Sequence, residues 1–106
     1  MIEKVFQFTA MPEGKLIERV IDDENVVINH IILLPEDSLP EHYSNSNVYL
    51  IITKGELSIS LGEQPTKQYP TGNMVHIPVN TKMRPHNRGS GVLEFFIVKA
   101  PHPDRG

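Results

Sequence analysis

Short runs of β-branched and aromatic residues recur along the whole chain, separated by proline, glycine, asparagine and aspartate, while helical periodicity is nearly absent. This pattern is typical of sandwiches and barrels. The longest apolar run, 26–34, has apolar side chains on both sides of an extended strand, so both faces must be covered. The sequence therefore predicts an all-β protein. We expect strands at 5–9, 16–21, 26–34, 47–53, 56–61, 67–69, 74–77, 82–87 and 93–99.

The chain length predicts a single domain, 1–106, because 106 residues can bury one hydrophobic core but leave little material for a second. Hydrophobic residues make up 39% and charged residues 22%, which are ordinary values for a soluble globular protein. Residues 100–106 contain two prolines, which prevent regular strand pairing. We therefore expect this segment to be an extended or flexible tail.

Charge and composition exclude several classes of protein. The net charge is −3, which argues against nucleic acid as the main partner. No apolar run approaches the roughly 18 residues needed to cross a bilayer, so we expect no membrane partner. The first eight residues alternate in polarity and lack the apolar core of a signal peptide, so a cytoplasmic location is expected. The absence of cysteine excludes disulfides, thiolate metal sites and a thiol nucleophile.

Two segments, 42–55 and 72–87, resemble the paired motifs of the cupin family. The first motif runs His-x-His, a few residues, Glu, six residues, Gly. The second runs Gly, five residues, Pro-x-Gly, two residues, His, three residues, Asn. The resemblance implies a double-stranded β-helix, that is, a jelly-roll barrel, within a group of small stand-alone cupins of unassigned activity. In motif order, the matching positions are His42, Ser44, Val48, Gly55, Gly72, Pro78, Asn80, Met83 and Asn87.

The resemblance keeps the frame of a metal site but loses most of its ligands. His42 occupies the first histidine position, whereas Ser44, Val48 and Met83 replace two histidines and the glutamate. A valine coordinates nothing, and a thioether is a soft ligand suited to Cu(I). We therefore expect no cofactor and no stoichiometric transition metal. The alternative is a divalent metal held by His42 together with any of His30, His76 or His86 that faces inward.

The individual histidines carry separate expectations. His42 is either a pocket acid or base or a cap on a hydrogen-bond network at the barrel mouth, and both alternatives stay open. His30, on an apolar strand, is expected to be a hydrogen-bonded core or interface residue. If Met83 points inward, parity places His86 outside the barrel. We expect His102, in the tail, to be exposed to solvent.

Strand alternation also predicts that the basic and aromatic residues of these strands lie on the outer face of the barrel. The cluster of Lys82, Arg84 and Arg88 is expected to be a solvated strand face and turn, with an anion site as the less favoured alternative. Tyr43 and Tyr49 should face away from the lumen, where tyrosine commonly contributes to subunit contacts. Apolar residues on this outer side, together with the cupin resemblance, predict a homodimer.

Three classes of function remain open at this stage. The first is a metal-free module that binds a small organic ligand in the barrel, with apolar walls and a few polar contacts. The second is a metal-independent isomerase or epimerase with His42 as base and a tyrosine or Ser44 as partner, which follows by fold analogy alone. The third is an enzyme with the atypical histidine set. The predicted ligand-binding residues of the first class are His42, Ser44, Val48, Leu50, Met83 and Asn87.

Overall fold

The computed structural model describes residues 1–104, and it confirms the predicted all-β class. Within these residues the chain forms strands and connecting turns without a helix. No helix that could span a membrane is therefore found in the described part of the chain. The strands are β1 (Leu16–Asp22), β2 (Val27–Leu33), β3 (His42–Tyr43), β4 (Val48–Lys54), β5 (Glu56–Leu61), β6 (Lys67–Pro70), β7 (Met74–Ile77), β8 (Lys82–His86) and β9 (Leu93–Lys99).

The strands form two antiparallel sheets that enclose one core. The five-stranded sheet has the order β1-β2-β9-β4-β7, and the four-stranded sheet has the order β3-β8-β5-β6. β2 was expected to be covered on both faces, and it is: Ile31 and Leu33 point into the core, whereas His30 and Ile32 are buried on the outer face. The core side chains are Ile31, Leu33, Leu39, Val48, Leu50, Ile52, Leu57, Ile59, Ile77, Met83, Leu93, Phe95 and Ile97.

Strand alternation in β4 sorts the inner from the outer side chains as the sequence predicts. Val48, Leu50 and Ile52 are at most 1% exposed and belong to the core, whereas Tyr49 is 40% exposed on the opposite face. The register of β4 with β9 pairs Leu50 with Ile97, so both strands contribute aliphatic side chains to the same lumen. The lumen wall of the five-stranded sheet is therefore apolar along most of its length.

The turn from β4 to β5 depends on Gly55, at a position that the motif resemblance reserves for glycine. Its φ is +78°, a left-handed conformation that side-chain-bearing residues rarely adopt. A Cβ at this position would also collide with the backbone carbonyl oxygen of Val92. Both conformation and contact therefore require glycine where the chain turns from one sheet into the other.

One predicted strand is wrong, and one short strand was missed. Residues 5–9 form no strand, because alternation alone does not supply a neighbouring edge with which to pair. This segment instead passes over the outer face of the five-stranded sheet, where the ring of Phe8 lies edge-on to His30 and Phe96. The missed strand is β3, only two residues long, which pairs with β8.

The end of the chain lies against the barrel as far as residue 104. Ser46 donates a hydrogen bond of 2.6 Å to the carbonyl oxygen of Pro101. The prediction that His102 is exposed is wrong: the residue is 8% exposed, and its Nε2 lies 2.7 Å from a carboxylate oxygen of Asp22. This hydrogen bond lowers the pKa of Asp22 below its ordinary value. Residues 105 and 106 of the predicted tail lie outside the described residues.

Candidate functional site

A pocket of about 210 Å³ opens between the two sheets at the end of the lumen that carries the first motif. Its inner walls are aliphatic, and its polar groups come from both sheets. Four of the six predicted ligand-binding residues line it, namely His42, Ser44, Val48 and Met83. The remaining lining residues are Ile17, Asn29, Ile31, Leu39, Pro40, Ile97 and Lys99.

His42 lies in β3 at the mouth of this pocket and is exposed. Its Nδ1 lies 2.9 Å from the carbonyl oxygen of Pro40, so Nδ1 carries the hydrogen and donates it. In that tautomer Nε2 is left with a lone pair. The two sequence alternatives are thus compatible, because one ring nitrogen caps a loop carbonyl while the other is available for a ligand.

Ser44 lines the pocket, but its hydroxyl is already engaged in structural hydrogen bonds. The Oγ atom donates to the carbonyl oxygen of Pro78 over 2.6 Å and accepts from the backbone N–H of Thr81 over 2.8 Å. These two bonds tie the first motif segment to the turn that precedes β8. The serine at this motif position therefore joins two parts of the barrel rather than presenting a free polar group.

Val48 and Met83 form the apolar floor where the family motifs place a glutamate and a histidine. Each is only 1% exposed, and Met83 is the register partner of His42. A metal that needs carboxylate and imidazole ligands finds only His42 here, so the residues present do not fit such a site. Leu50 was expected to line the pocket, but it does not, because it lies fully buried in the core.

Lys99 and Asn29 are pocket residues that the sequence reasoning missed. Lys99 forms no ion pair with any carboxylate of residues 1–104. Partial burial and then the nearby positive charge of Arg19 lower its pKa below the ordinary 10.5. Strand alternation could have predicted Lys99 as a pocket residue, because it lies two positions after Ile97 and four after Phe95, which both point inward in β9.

The histidines proposed for an atypical metal set do not converge. His30 and His76 lie on the outer face of the five-stranded sheet, with His76 stacked on Tyr49, whereas His42 lies at the pocket mouth. Within residues 1–104, no group of three or more histidine or acidic side chains is placed to hold a metal ion. The geometry therefore gives no support to the alternative metal site.

His30 is the central residue of a network on that outer face, as its buried position requires. It is 0% exposed, and its two ring nitrogens each lie 2.9 Å from a carboxylate oxygen, one of Glu18 and one of Glu94. Thr9 donates from its backbone N–H and its hydroxyl to Glu18, and Thr53 donates its hydroxyl to Glu94. We call these five residues the His30 network.

Asn87 does not contribute to the lumen pocket, so its predicted role in ligand binding there is wrong. It is 2% exposed, and its side-chain N–H groups donate to the carbonyl oxygens of Leu33 and Gly91. Its Oδ1 accepts from the backbone N–H of Gly89. The bond to Leu33 therefore holds the turn after β8 against β2, and the bonds with Gly89 and Gly91 hold the turn itself in shape.

His86 lies on the outer face, as parity predicts, but it is 8% exposed rather than open to solvent. Its backbone forms an isolated antiparallel bridge with Ser38, so the loop before β3 lies beside the end of β8. Of the basic cluster, Lys82 lies 3.6 Å from a carboxylate oxygen of Glu63, whereas Arg84 and Arg88 form no ion pair within residues 1–104.

Comparisons with known proteins agree with this barrel architecture. The uncharacterized protein MJ0764 of Methanocaldococcus jannaschii is 48% identical over 105 residues, which are 99% of this chain and 90% of that protein. Its crystal structure is that of an RmlC-like cupin family protein with a double-stranded β-helix fold. It matches with a TM-score of 0.95 and covers 99% of this chain and 96% of that chain. The predicted jelly-roll architecture and the resemblance are thereby confirmed.

More distant structures share the fold alone. A cupin superfamily protein of Desulfitobacterium hafniense has a TM-score of 0.74 at 15% identity, covering 89% of this chain and 84% of that chain. The polyketide cyclase RemF of Streptomyces resistomycificus has a TM-score of 0.74 at 17% identity, covering 94% of this chain and 80% of that chain. No protein-family model matches the sequence.

Proposed function

The chain belongs to the cupin family, and on that premise we propose that it is a metal-independent barrel that binds a small organic acid. The ligand would place an apolar body against the aliphatic floor and a carboxylate at the mouth. Lys99 is the observation that carries this proposal, because it is a partly buried cation on the pocket wall that forms no ion pair with any carboxylate of residues 1–104.

The lining of the pocket supports this class of ligand. The inner walls are aliphatic, and include Val48, Met83 and Ile97. Recognition of an apolar ligand body by such walls, with a few polar groups at one end, is the usual design of a small-molecule site. A volume of about 210 Å³ is below the roughly 300 Å³ at which pockets for drug-sized ligands begin, so the ligand would be small.

The polar groups at the mouth complement a carboxylate better than they support catalysis. Lys99 supplies charge, the amide of Asn29 can donate a hydrogen bond, and His42 has one available ring nitrogen. An acid–base enzyme needs a second group close to His42. Tyr43 is 61% exposed and does not line the pocket, and the Ser44 hydroxyl is engaged in the two hydrogen bonds described above. These placements favour binding over the isomerase alternative.

Replacement of Lys99 tests this function directly. In Lys99→Met, we expect the affinity for hexanoate or benzoate to fall by about 10-fold to 100-fold, as for loss of a charge-assisted hydrogen bond. Isothermal titration calorimetry would measure it, with hexanamide as the uncharged probe and the exposed Lys15→Met as the matched control. The proposal fails if the unchanged protein binds neither acid, or if Lys99→Met binds them as well as the control does.

We also propose that the partner of this protein is a second copy of itself, docked on the outer face of the five-stranded sheet. Tyr49 is 40% and Met74 is 75% exposed there, and the segment that crosses this sheet exposes Val5 and Phe6 as well. Neighbouring exposed apolar side chains of this kind are typical of subunit contacts. The acidic net charge and the apolar character of the patch favour a like chain over a nucleic acid.

Light scattering at micromolar concentration should therefore give twice the chain mass of 12.0 kDa. Tyr49→Glu combined with Met74→Glu should shift the mass to that of a monomer, because the interface would have to bury four unpaired carboxylates, two from each copy. Val79→Glu is the matched control, since Val79 is 57% exposed in the turn after β7 and away from this face. A monomeric parent protein, or equal effects of both sets of substitutions, would contradict the proposed interface.

A further inference from the structure

A second pocket, of about 360 Å³, lies outside the barrel on the far side of the four-stranded sheet from the lumen. One wall is the end of β8 with the turn that follows it, and the other is the loop before β3. The wall residues are all polar or charged. They are Glu36, Ser38, Arg84, His86, Asn87 and Arg88.

The two walls are tied together by backbone hydrogen bonds. Asn87 donates its N–H to the carbonyl oxygen of Asp37 over 2.9 Å and accepts at its own carbonyl from the N–H of Glu36 over 2.8 Å. The N–H of Leu39 donates to the carbonyl oxygen of Pro85 over 3.0 Å. Together with the side-chain bonds of Asn87, these contacts hold the pocket in one shape before any ligand arrives, which lowers the entropic cost of binding.

The charge on the walls is not balanced within the described chain. Arg84 and Arg88 are both exposed to the pocket side and form no ion pair. His86 lies in the same wall, and its buried Nε2 has no hydrogen-bond partner among residues 1–104. Burial, followed by the positive charges of Arg88 and Arg84, lowers the pKa of His86 below 6.5. The positive field of the two arginines is therefore felt inside the pocket.

The one carboxylate in the walls belongs to Glu36, which has an unusual backbone. Its φ is +74°, in the tight turn where the N–H of Asp37 donates to the carbonyl oxygen of Leu34 over 2.9 Å. Glycine is the residue favoured at such a position, so a glutamate there carries a strain on the order of 1 kcal/mol or more. With two arginines and one carboxylate, the pocket keeps a net positive charge while His86 is neutral.

We infer that this pocket binds the phosphate group of a small phosphorylated molecule. Guanidinium groups present several N–H donors in a planar fork that matches the oxygens of phosphate, and two of them here have no anionic partner. The Ser38 hydroxyl, on the segment that pairs with the end of β8 at His86, adds a donor to the lining. The volume exceeds that of a bare phosphate, which leaves room for the group that the phosphate esterifies. This site is separated from the lumen by the four-stranded sheet and stands independently of the proposed ligand of the barrel.

The test is a titration of the ¹⁵N-labelled full chain with inorganic phosphate and with phenyl phosphate, followed by NMR. We expect saturable shifts of the amides of residues 36–38, 84 and 86–88, and a higher titration midpoint for the His86 ring when phosphate is bound, because the anion offsets the arginine charges. Arg84→Gln with Arg88→Gln should weaken binding at least about tenfold. Lys15→Gln with Lys67→Gln removes the same charge from exposed positions away from the pocket and should leave binding unchanged.

Glu36→Gln provides an opposite readout from the same pocket. It removes the only carboxylate of the walls, so it should tighten phosphate binding several-fold without touching either arginine. Tighter binding of phenyl phosphate than of phosphate would identify an ester as the ligand, and equal binding would identify the phosphate group alone as the recognised feature. The inference is overturned if neither probe gives saturable shifts at these residues, or if the lysine pair weakens binding as much as the arginine pair does.

Discussion

His30→Leu is expected to lower the free energy of unfolding by about 1.5 to 3 kcal/mol at neutral pH, the usual contribution of a hydrogen bond to a charged group, because both carboxylates keep part of their solvent exposure. The imidazole is fully buried between Glu18 and Glu94, stacked on Phe96 and contacted by Phe8. Each ring nitrogen lies within hydrogen-bond distance of a carboxylate oxygen, so leucine removes both contacts and leaves two carboxylates facing each other. Urea denaturation monitored by circular dichroism measures the loss.

The pH dependence distinguishes this explanation from simple loss of packing. In the parent protein the hydrogen bond from His30 and those from Thr9 lower the pKa of Glu18. Hydrogen bonds from Thr53 and His30 likewise lower the pKa of Glu94, although its burial acts in the opposite direction. Because both folded-state values lie below the ordinary 4.5, this stabilisation is present above pH 4.5 and is lost as the pH falls through the lowered values.

In His30→Leu the two carboxylates repel each other, so protonating either of them stabilises the folded state instead of destabilising it. The loss of unfolding free energy relative to the parent protein should therefore shrink toward pH 4. Adding Glu18→Gln and Glu94→Gln to the variant should recover part of the lost stability at neutral pH. Gln68→Leu is the matched control, because Gln68 is exposed in β6 of the other sheet, and it should change stability by less than about 0.5 kcal/mol. A His30→Leu protein as stable as the Gln68→Leu control would contradict the role given to the network.

Val48→Glu combined with Met83→His should make the stability of the protein depend on a bound metal ion at the pocket floor. Without metal, we expect a loss of about 3 kcal/mol or more, because both positions are 1% exposed and the new carboxylate would be buried without a partner. With Ni²⁺ or Zn²⁺ at a hundredfold excess over Kd, about 2.7 kcal/mol should be regained. Melting temperature as a function of metal concentration gives the measurement.

The reason is that Met83 is the register partner of His42, and Val48 lines the same pocket, so these positions can aim three ligands at one point. Ser44 is left unchanged because its hydroxyl joins Pro78 to Thr81. The same double variant carrying His42→Ala serves as control and should lose the response to metal. If the double variant folds and metal raises its melting temperature no more than that of the control, the residue-by-residue match to the family motifs is wrong.

Local pattern was sufficient to predict most strands and the inward parity of β4. Alternation requires only neighbouring residues, whereas Val48 and Met83 were assigned to the pocket by their positions in the family motifs, and both line it. The His30 network could not be predicted from local pattern, because Glu18 and Glu94 lie 12 and 64 positions from His30 in the sequence. They meet only because β2 pairs with both β1 and β9, and strand order is a property of the whole sheet.

Two of the differences involve contacts with residues that are distant in sequence. His86 was expected outside the barrel and His102 in solvent, but both are only 8% exposed, with Ser38 bridged to His86 and Asp22 in contact with His102. The Asn87 amide was assigned to the lumen on motif position alone, whereas its hydrogen bonds go to the backbone of Leu33, Gly89 and Gly91. Exposure of a polar residue next to a turn depends on which loop crosses it, and alternation contains no information about that.

The backbone at the motif glycines shows that a family motif can specify backbone conformation and metal ligands separately. Gly55 and Gly72 have φ values of +78° and +94°, and Asn80, which stands where the family has glycine, has φ +63°. Asparagine is among the few side-chain-bearing residues that tolerate this conformation. Some motif positions thus specify backbone bends and others specify metal ligands, and this chain keeps the bends but has lost most of the ligands. Similarity at the bend positions therefore identifies proteins with the same fold, but it does not identify the metal or ligand that they bind.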